Sequence, residues 1–255
     1  MELRNEIVSI IKNEILNSKK EDLFREPIVG FASADDPLFD KLSEIVGPEH
    51  VHPKDILQTA KTVVSFFIPF SKRIVLSNRK SGEVSPEWAM IYLEANSMIN
   101  EISKKLIDKL GEKGIEGGTI KATHNFDEKT LKAGWSHRSA AYIAGLGRFG
   151  LNRMLITPVG GAGRYGSVVI SEEITPDQRP QEELCTYFEN GQCRFCVDNC
   201  PTQALKVEGF DRHKCYAHLL EVSKGFSDLG LCDVCGKCVV GPCAIYSKKN
   251  KEQSL

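Results

Sequence analysis

All nine cysteines of this 255-residue chain lie between Cys185 and Cys243, and residues 1–184 contain none. Thiolates are soft ligands that bind iron–sulfur clusters or zinc. The first twenty residues are charged throughout and contain no apolar segment of the kind found in secretory signals. The chain is therefore expected in the reducing cytoplasm, where thiols persist instead of pairing as disulfides. This clustering predicts that a metal centre organises the last quarter of the sequence.

The spacing of the cysteines favours two 4Fe-4S clusters. The letters CRFCVDNCP, which begin at Cys193, supply the last three cysteines of the bacterial ferredoxin run C-x2-C-x2-C-x3-C-P. The first position of that run is Asn190 here, and Cys185 is the substitute. A second run, CDVCGKCVVGPC, begins at Cys232 and again contains cysteines separated by two residues. In ferredoxins the last cysteine of such a run binds the other cluster, so the two clusters are expected to lie close together.

Two clusters with four ligands each leave one of the nine cysteines unused. One cluster is assigned to Cys185, Cys193, Cys196 and Cys243. The other is assigned to Cys200, Cys215, Cys235 and Cys238. Cys232 is then spare, and the rival assignment uses Cys232 in place of Cys215. Disulfides, zinc sites and a cluster with a purely structural role are the competing interpretations.

The order of predicted elements favours an α+β sandwich over a doubly wound parallel sheet. Apolar periodicity predicts a first helix over residues 3–15 and a long helix that begins at Ser85-Pro86 and ends at Gly111. A short helix is predicted over 138–144. Strands are predicted at 27–32, 62–70, 117–126, 151–157 and 165–171. We expect a cofactor and substrate domain at 1–175 and a cysteine domain at 176–255.

The glycine-rich segment AGLGRFGLNRMLITPVGGAGRYG begins at Ala144. Its letters match the dinucleotide fingerprint, but a helix is predicted before it and a strand after it, which reverses the required order. The glycines either form turns between core elements or let a large flat cofactor approach the backbone closely. The second interpretation predicts cofactor contacts at Ser136, Gly145, Gly147, Gly150, Asn152, Gly161 and Gly163.

Just before this segment, His137 and Arg138 are neighbours in the stretch WSHRSAA. A histidine beside an arginine can act as a proton donor and an anion contact, and this is the catalytic role predicted here. The alternative is that His137 only caps a helix or satisfies a polar group inside the protein.

The pairing of AGLGRFGLNRMLITP with a two-cluster cysteine segment resembles the epoxyqueuosine reductase-like iron–sulfur proteins, which are related to the reductive dehalogenases. The resemblance covers roughly residues 120–245. It implies a nitroreductase-like α/β sandwich followed by a ferredoxin-like domain with two 4Fe-4S clusters. It also implies a cobalamin between the two domains that receives electrons through the clusters.

The sequence departs from the tRNA-modifying members of that family at two points. Those enzymes carry an acidic residue in a D-[ST]-A-P-like stretch, whereas this chain carries SHRSAA, similar to an SHK-type variant. They also continue into helical repeats beyond the cysteines. A nucleic-acid substrate is therefore not expected, although tRNA stays open. The formal net charge of −1 gives no general attraction to nucleic acid or to an anionic membrane.

The functional hypothesis is a cytoplasmic reductase that passes electrons through two clusters to a corrinoid and reduces a small or nucleoside-like substrate. A ferredoxin or flavodoxin is the expected electron donor, and no membrane partner is expected. One alternative is a non-catalytic electron-transfer protein, whose large domain docks another protein. The other is a flavin-dependent reductase, since a nitroreductase-like sandwich can hold a flavin.

Overall fold

The computed structural model describes residues 1–245, so the last ten residues of the predicted domain 176–255 lie outside the described part. Over residues 1–245 the chain forms nine α-helices and six β-strands. The helices are α1 (Glu2–Asn17), α2 (Pro37–Ile45), α3 (Pro53–Ile56), α4 (Lys72–Lys80), α5 (Pro86–Gly111), α6 (His137–Ile143), α7 (Thr186–Asn190), α8 (Phe195–Asp198) and α9 (Arg212–Lys224). The strands are β1 (Ile28–Ser33), β2 (Thr62–Pro69), β3 (Gly117–Gly118), β4 (Arg148–Phe149), β5 (Leu155–Ile156) and β6 (Gly163–Ile170).

Four of these strands form an antiparallel sheet in the order β1-β2-β6-β3. The central strand β2 is buried at every position because helices cover both faces of the sheet. This is why its sequence, TVVSFFIP, is almost continuously apolar instead of alternating. In the register of β2 and β6, Ser65 lies opposite Ser167. A second, two-stranded sheet pairs β4 with β5.

Helices pack on the two faces of the four-stranded sheet. Helices α1, α4 and α5 cover one face, where Ile11, Ile99 and Ile102 pack with Phe66 in the largest apolar cluster. Helices α2 and α6 cover the other face, where Phe39 and Trp135 are stacked with ring centroids 6.0 Å apart. These three layers form the sandwich that positions the site.

Residues 185–245 form a cysteine module that shares its core with the sandwich. The side chains of Val240 and Ala244 are fully buried in the same cluster as α5. Main-chain hydrogen bonds from Gly161 to Cys243 and from Ala162 to Ala244, both 2.9 Å, join the glycine-rich segment to the end of the module. The module is therefore held rigidly against the sandwich.

The mixed helix-and-sheet class predicted from the sequence is confirmed, and the antiparallel order of the main sheet agrees with the rejection of a doubly wound fold. The predicted positions of α1, β1, β2, α5, α6 and β6 are confirmed to within two or three residues. Within residues 1–245, no helix combines the length and the apolar composition that crossing a bilayer requires.

Two predicted strands are much shorter than expected. The predicted strand at 117–126 keeps only Gly117–Gly118, because Thr119 then bonds the sheet through its side-chain hydroxyl, 2.7 Å from the Ser167 carbonyl. The predicted strand at 151–157 keeps only Leu155–Ile156, because Arg153 adopts a left-handed backbone conformation (φ 61°) and closes a turn onto Gly150. The sequence did not predict strand β4 or the helices α2, α3, α4, α7, α8 and α9.

Candidate functional site

A cavity of about 1130 Å³ lies between the sandwich and the cysteine module. Its walls are contributed by α2, α5, α6, the glycine-rich segment and the cysteine module. The lining includes apolar side chains, such as Leu38, Leu42 and Tyr142, as well as cationic side chains and thiols. The volume exceeds the upper range of roughly 1,000 Å³ for pockets that take drug-sized ligands. The cavity is therefore of a size that suits a large ligand.

The nine cysteines are all free thiols, and eight of them separate into two groups by their mutual electrostatic effects. In the first group, Cys185 and Cys193 both raise the pKa of Cys196, which is about 11 mainly because of burial. Burial raises the pKa of Cys243 to about 12, and the same three thiols add to the rise. These four residues are the ones assigned to one cluster from the sequence.

The second group is built around the segment 235–238. Burial raises the pKa of Cys215 to about 11, and Cys235 and Cys200 raise it further. Burial also raises the pKa of Cys238, with added effects from Cys235, Cys215 and Cys196. All four members, Cys200, Cys215, Cys235 and Cys238, border the cavity. The interaction of Cys196 with Cys238 shows that the two groups are neighbours.

Cys232 lies apart from both groups. Its side chain is fully buried against Ala89 and Tyr92 of α5, and its Sγ donates a hydrogen bond to the Ala89 carbonyl at 3.5 Å. The nearby charge that raises its pKa, after burial, is Asp233 and not another thiol. The geometry thus favours Cys232 over Cys215 as the spare cysteine.

No three His, Cys, Asp or Glu side chains among residues 1–245 converge on one point where a single metal ion would bind. Each of the two groups supplies four cysteine thiols, which is the number of thiolate ligands that one 4Fe-4S cluster binds.

Ser136 caps the helix α6 that carries the predicted catalytic pair. Its Oγ accepts hydrogen bonds from the Ser139 main-chain nitrogen (3.2 Å) and the Ser139 hydroxyl (2.8 Å). Its own main-chain nitrogen donates to His50 Nε2 at 3.0 Å. The cap holds the start of α6 at the cavity wall, and Ser136 itself borders the cavity.

His137 points away from the cavity into the protein, where it is 7% exposed. Its Nε2 lies 3.3 Å from the Lys121 carbonyl, which can only accept, so Nε2 carries the proton. Nδ1 then accepts from the Ser167 hydroxyl at 2.8 Å, and Ser167 in turn accepts from the Trp135 indole at 2.9 Å. Burial lowers the pKa of His137 to about 4, so this satisfied network holds a neutral imidazole at pH 7.

Arg138 points the other way and borders the cavity. Its guanidinium donates to the Arg153 carbonyl at 3.1 Å and contacts the Met154 sulfur at 2.7 Å. Burial lowers the pKa of Arg138, although the guanidinium stays charged, and the group interacts electrostatically with Cys238. Arg138 thus borders the cavity together with the second thiol group.

Four of the seven residues predicted to contact a cofactor border the cavity, namely Ser136, Gly150, Asn152 and Gly163. Asn152 also donates a hydrogen bond to the Cys238 carbonyl at 3.2 Å. The other three, Gly145, Gly147 and Gly161, lie behind the wall. A Cβ at Gly147 would overlap the Ile156 carbonyl, so that glycine is required by the packing of the chain on itself.

Three further residues meet at the cavity wall, and the sequence did not indicate a role for them. The Tyr92 hydroxyl of α5 donates to Asp233 Oδ1 at 2.6 Å, and the Arg164 guanidinium of β6 lies 4.7 Å from the centre of the Tyr92 ring. Burial raises the pKa of Tyr92. No local motif marks these residues, because each comes from a different element.

Comparison with known proteins supplies the context for this site. No family model matches the chain. The epoxyqueuosine reductase of Bacillus anthracis is 29% identical to it over 217 residues, which are 80% of this chain and 52% of that protein. The enzyme of Staphylococcus aureus is 27% identical over 225 residues. The chain resembles the epoxyqueuosine reductases. The resemblance inferred from the sequence is thereby confirmed, and both relatives are named as reductases.

Solved structures agree on the fold. An epoxyqueuosine reductase from Bacillus subtilis matches with a TM-score of 0.57 at 21% identity, over 93% of this chain and 66% of its own. A catabolic reductive dehalogenase in complex with 3-bromo-4-hydroxybenzoic acid matches with a TM-score of 0.59 at 19% identity, over 83% of this chain and 29% of its own. This chain spans about half the length of the curated epoxyqueuosine reductases that it matches.

Proposed function

We propose that this protein is an iron–sulfur reductase, in which electrons pass through two 4Fe-4S clusters to a corrinoid in the cavity and reduce a small or nucleoside-like substrate. One observation supports the proposal above all. Four thiols, Cys200, Cys215, Cys235 and Cys238, border the same cavity as the helix α6 residue Arg138. An electron relay therefore opens directly onto a space large enough for a cofactor and a substrate.

In this proposal each group of four thiols holds one cluster. Cys185, Cys193, Cys196 and Cys243 hold the cluster that lies farther from the cavity. Cys200, Cys215, Cys235 and Cys238 hold the cluster at the cavity wall. Because Cys196 and Cys238 interact electrostatically, the two clusters are neighbours in this proposal. The cluster farther from the cavity then receives electrons from a ferredoxin or flavodoxin donor.

The corrinoid is supported by the kinship of the relatives and by the shape of the cavity. One solved neighbour is a reductive dehalogenase described with a mechanism for B12-dependent dehalogenation. When bound, a corrinoid supplies the low-potential cobalt chemistry that protein side chains lack. This chain contributes an apolar wall that excludes water. It also contributes the Asn152 amide, which donates to the Cys238 carbonyl. Gly150 and Gly163 border the cavity, but the space that a Cβ would take is filled by Ile156 at the first and by Phe67 and Ile68 at the second.

Two residues are candidates to supply a proton. His137 is the donor proposed from the sequence, but its proton is bonded to the Lys121 carbonyl behind the cavity wall. Tyr92 carries its proton on the cavity side, hydrogen-bonded to Asp233, and burial keeps its hydroxyl protonated. We therefore add Tyr92 as the candidate that geometry favours. The variants Tyr92→Phe and His137→Gln separate the two by their turnover rates once a substrate is known.

The substrate is proposed to be a small molecule. One solved relative is an epoxyqueuosine reductase with a modified tRNA stem loop, at 23% identity and a TM-score of 0.55. That relative is longer, and this chain covers 66% of it. The SHRSAA sequence and the near-neutral net charge of the chain favour a smaller substrate than tRNA.

Anaerobic reconstitution tests the proposal directly. The protein is loaded with iron and sulfide, then titrated with cobalamin while the visible spectrum is followed. The proposal predicts stoichiometric corrinoid binding with a base-off spectrum. Binding of a flavin instead, with its yellow absorbance, would establish the flavin-dependent alternative. Failure to bind either cofactor would leave a non-catalytic electron carrier and would overturn the proposal.

A further inference from the structure

Two arginines at the cavity wall have no acidic partner in direct contact. Arg138 of α6 and Arg164 of β6 both border the cavity, and neither forms an ion pair within residues 1–245. Arg164 donates to the neutral side chain of Asn96 at 2.6 Å and lies over the Tyr92 ring. Arg138 donates to a main-chain carbonyl and to a thioether. Neither guanidinium group donates a hydrogen bond to a carboxylate within residues 1–245.

Other arginines in the same structure show what a structural guanidinium looks like. Arg25 donates to three main-chain carbonyls, those of Phe70, Val159 and Ile245, and so joins three segments. Arg4 binds both carboxylate oxygens of Asp177, at 2.6 and 2.8 Å. Arg138 and Arg164 show neither pattern. Their positions at the cavity wall are therefore not explained by the packing of the chain alone.

Both guanidinium groups border the same cavity, and the positive charge of Arg164 acts on Arg138. Burial lowers the pKa of both arginines, and the charge of Arg164 lowers the pKa of Arg138 further. One acidic group, Asp233, interacts with Arg164 and accepts a hydrogen bond from Tyr92, and a single carboxylate offsets only one of the two positive charges. Like charges that are half-buried side by side are destabilising unless an anion is placed between them.

The thiols on the same wall do not supply that anion for both arginines. Arg138 interacts with Cys238, so a cluster at the second thiol group offsets part of its charge. Arg164 has no thiol among the groups that shift its pKa and faces Tyr92 and Asp233. A guanidinium pair binds phosphate or carboxylate through charge-assisted hydrogen bonds, which are about twice as strong as neutral ones.

We propose that Arg138 and Arg164 form an anion-binding site that receives a phosphate or carboxylate group of the substrate. The inference deepens the proposed function, because it assigns the reductase a small anionic substrate. It rests on that function only for the identity of the cavity as the reaction site. A phosphate within the bound corrinoid is the second source of the same chemistry, and the experiment below distinguishes the two.

Inorganic phosphate is the probe, and its binding to the full chain is measured by calorimetry in a phosphate-free buffer. The site predicts saturable binding that weakens at least about tenfold, or about 1.4 kcal/mol, in both Arg138→Gln and Arg164→Gln. Arg164→Lys keeps the charge and loses the fork, so it is expected to bind with intermediate affinity. Arg73→Gln, at an exposed ion pair on α4, is the control and leaves binding unchanged.

Titration with cobalamin and with cobinamide, which has no phosphate, identifies the source of the anion. If the substrate supplies it, corrinoid-loaded protein still binds phosphate and Arg164→Gln leaves cobalamin affinity unchanged. If the cofactor supplies it, Arg164→Gln weakens cobalamin but not cobinamide, which overturns the assignment to the substrate. Absence of saturable phosphate binding in folded, iron-loaded protein overturns the site. Iron content and the corrinoid spectrum report separately on the proposed function.

Discussion

Lys237 donates a hydrogen bond to Asn78 across the boundary between the cysteine module and the sandwich. The Lys237 ammonium donates to the Asn78 carbonyl at 2.7 Å, and the Asn78 side-chain amide donates to the Cys235 carbonyl at 2.9 Å. The same ammonium donates to the carbonyls of Ser81 and Glu83, at 2.8 and 2.6 Å. Lys237 thus caps the carboxyl end of α4, where a positive charge is favourable. The loop between Cys235 and Cys238 is fixed by this contact.

Replacing Lys237 by methionine is expected to loosen the cysteine module. The change leaves three carbonyls without their donor in a site where Lys237 is 5% exposed, which costs about 2–4 kcal/mol of the free energy of unfolding. The loss is measured as a lower denaturant midpoint, followed by the fluorescence of Trp88 beneath the loop. The control Lys224→Met removes an exposed lysine from α9 and is expected to shift the midpoint little. Equal shifts in the two variants would contradict this role of Lys237.

Gly236 is expected to tolerate no side chain. Its backbone is left-handed (φ 69°), and a Cβ there would overlap the Trp88 indole. Gly236→Ala therefore combines backbone strain with a clash against a buried ring. Two controls separate these effects, since Gly114 has a similar positive φ (76°) with open space around it and Gly209 has open space without the strain.

The stability of the three alanine variants is expected to fall in a fixed order. Gly209→Ala is close to wild type, Gly114→Ala loses about 1 kcal/mol, and Gly236→Ala loses clearly more and releases iron faster. Thermal unfolding and the rate of iron loss to a chelator measure the two effects. A Gly236→Ala variant as stable as Gly114→Ala would show that the loop does not pack on Trp88 as described.

Some of this architecture was predictable because its causes are local. Helix α5 begins at Ser85-Pro86 because Ser85 Oγ accepts a hydrogen bond from the Trp88 main-chain nitrogen. Serine is a typical residue at this capping position, so the sequence predicts the cap. The division of the cysteines into two groups follows from their spacing. Helix α2 has the same kind of start, with Asp36 as cap and Pro37 at its first position, and this signal was overlooked.

The rest depended on contacts between distant segments. The neighbours His137 and Arg138 face opposite directions, and only the packing of α6 on the sheet decides which of them borders the cavity. Tyr92, Arg164 and Asp233 come together from α5, β6 and the cysteine module, up to 141 positions apart in sequence. No spacing rule connects such residues.

The two assignments of the spare cysteine lead to opposite predictions for the cluster content of alanine variants. Cys232→Ala is expected to keep both clusters, because Cys232 packs on Ala89 and Tyr92, away from the other thiols. Cys215→Ala is expected to lose or disrupt the cluster at the cavity wall, since Cys215 interacts with Cys200 and Cys235. Iron and sulfide analysis with electron paramagnetic resonance measures both. Loss of a cluster in Cys232→Ala with full content in Cys215→Ala would reverse the assignment.

The stability of the protein is expected to fall as the pH drops from about 6.5 toward 4 because of His137. Burial lowers its pKa to about 4, so in this window the unfolded chain binds a proton that the folded chain does not. Between pH 6.5 and 5 the loss is about 2 kcal/mol from this residue.

Denaturant midpoints at pH 7 and pH 5 measure this dependence. In His137→Gln, whose amide can still donate to Lys121 and accept from Ser167, the dependence on pH is expected to be shallower by that amount. Other buried groups, such as His50, are unchanged in the variant and cancel in the comparison. If the stability of both proteins depended on pH in the same way, the pKa of His137 in the folded state would not be lowered.

The metal content of protein purified without oxygen tests the central claim most directly. Two groups of four thiols predict about eight iron and eight sulfide per chain, with a brown colour and a signal from interacting clusters on reduction. About four iron would leave one group without a cluster. A colourless protein with zinc bound to these cysteines would contradict the electron relay on which the whole account depends.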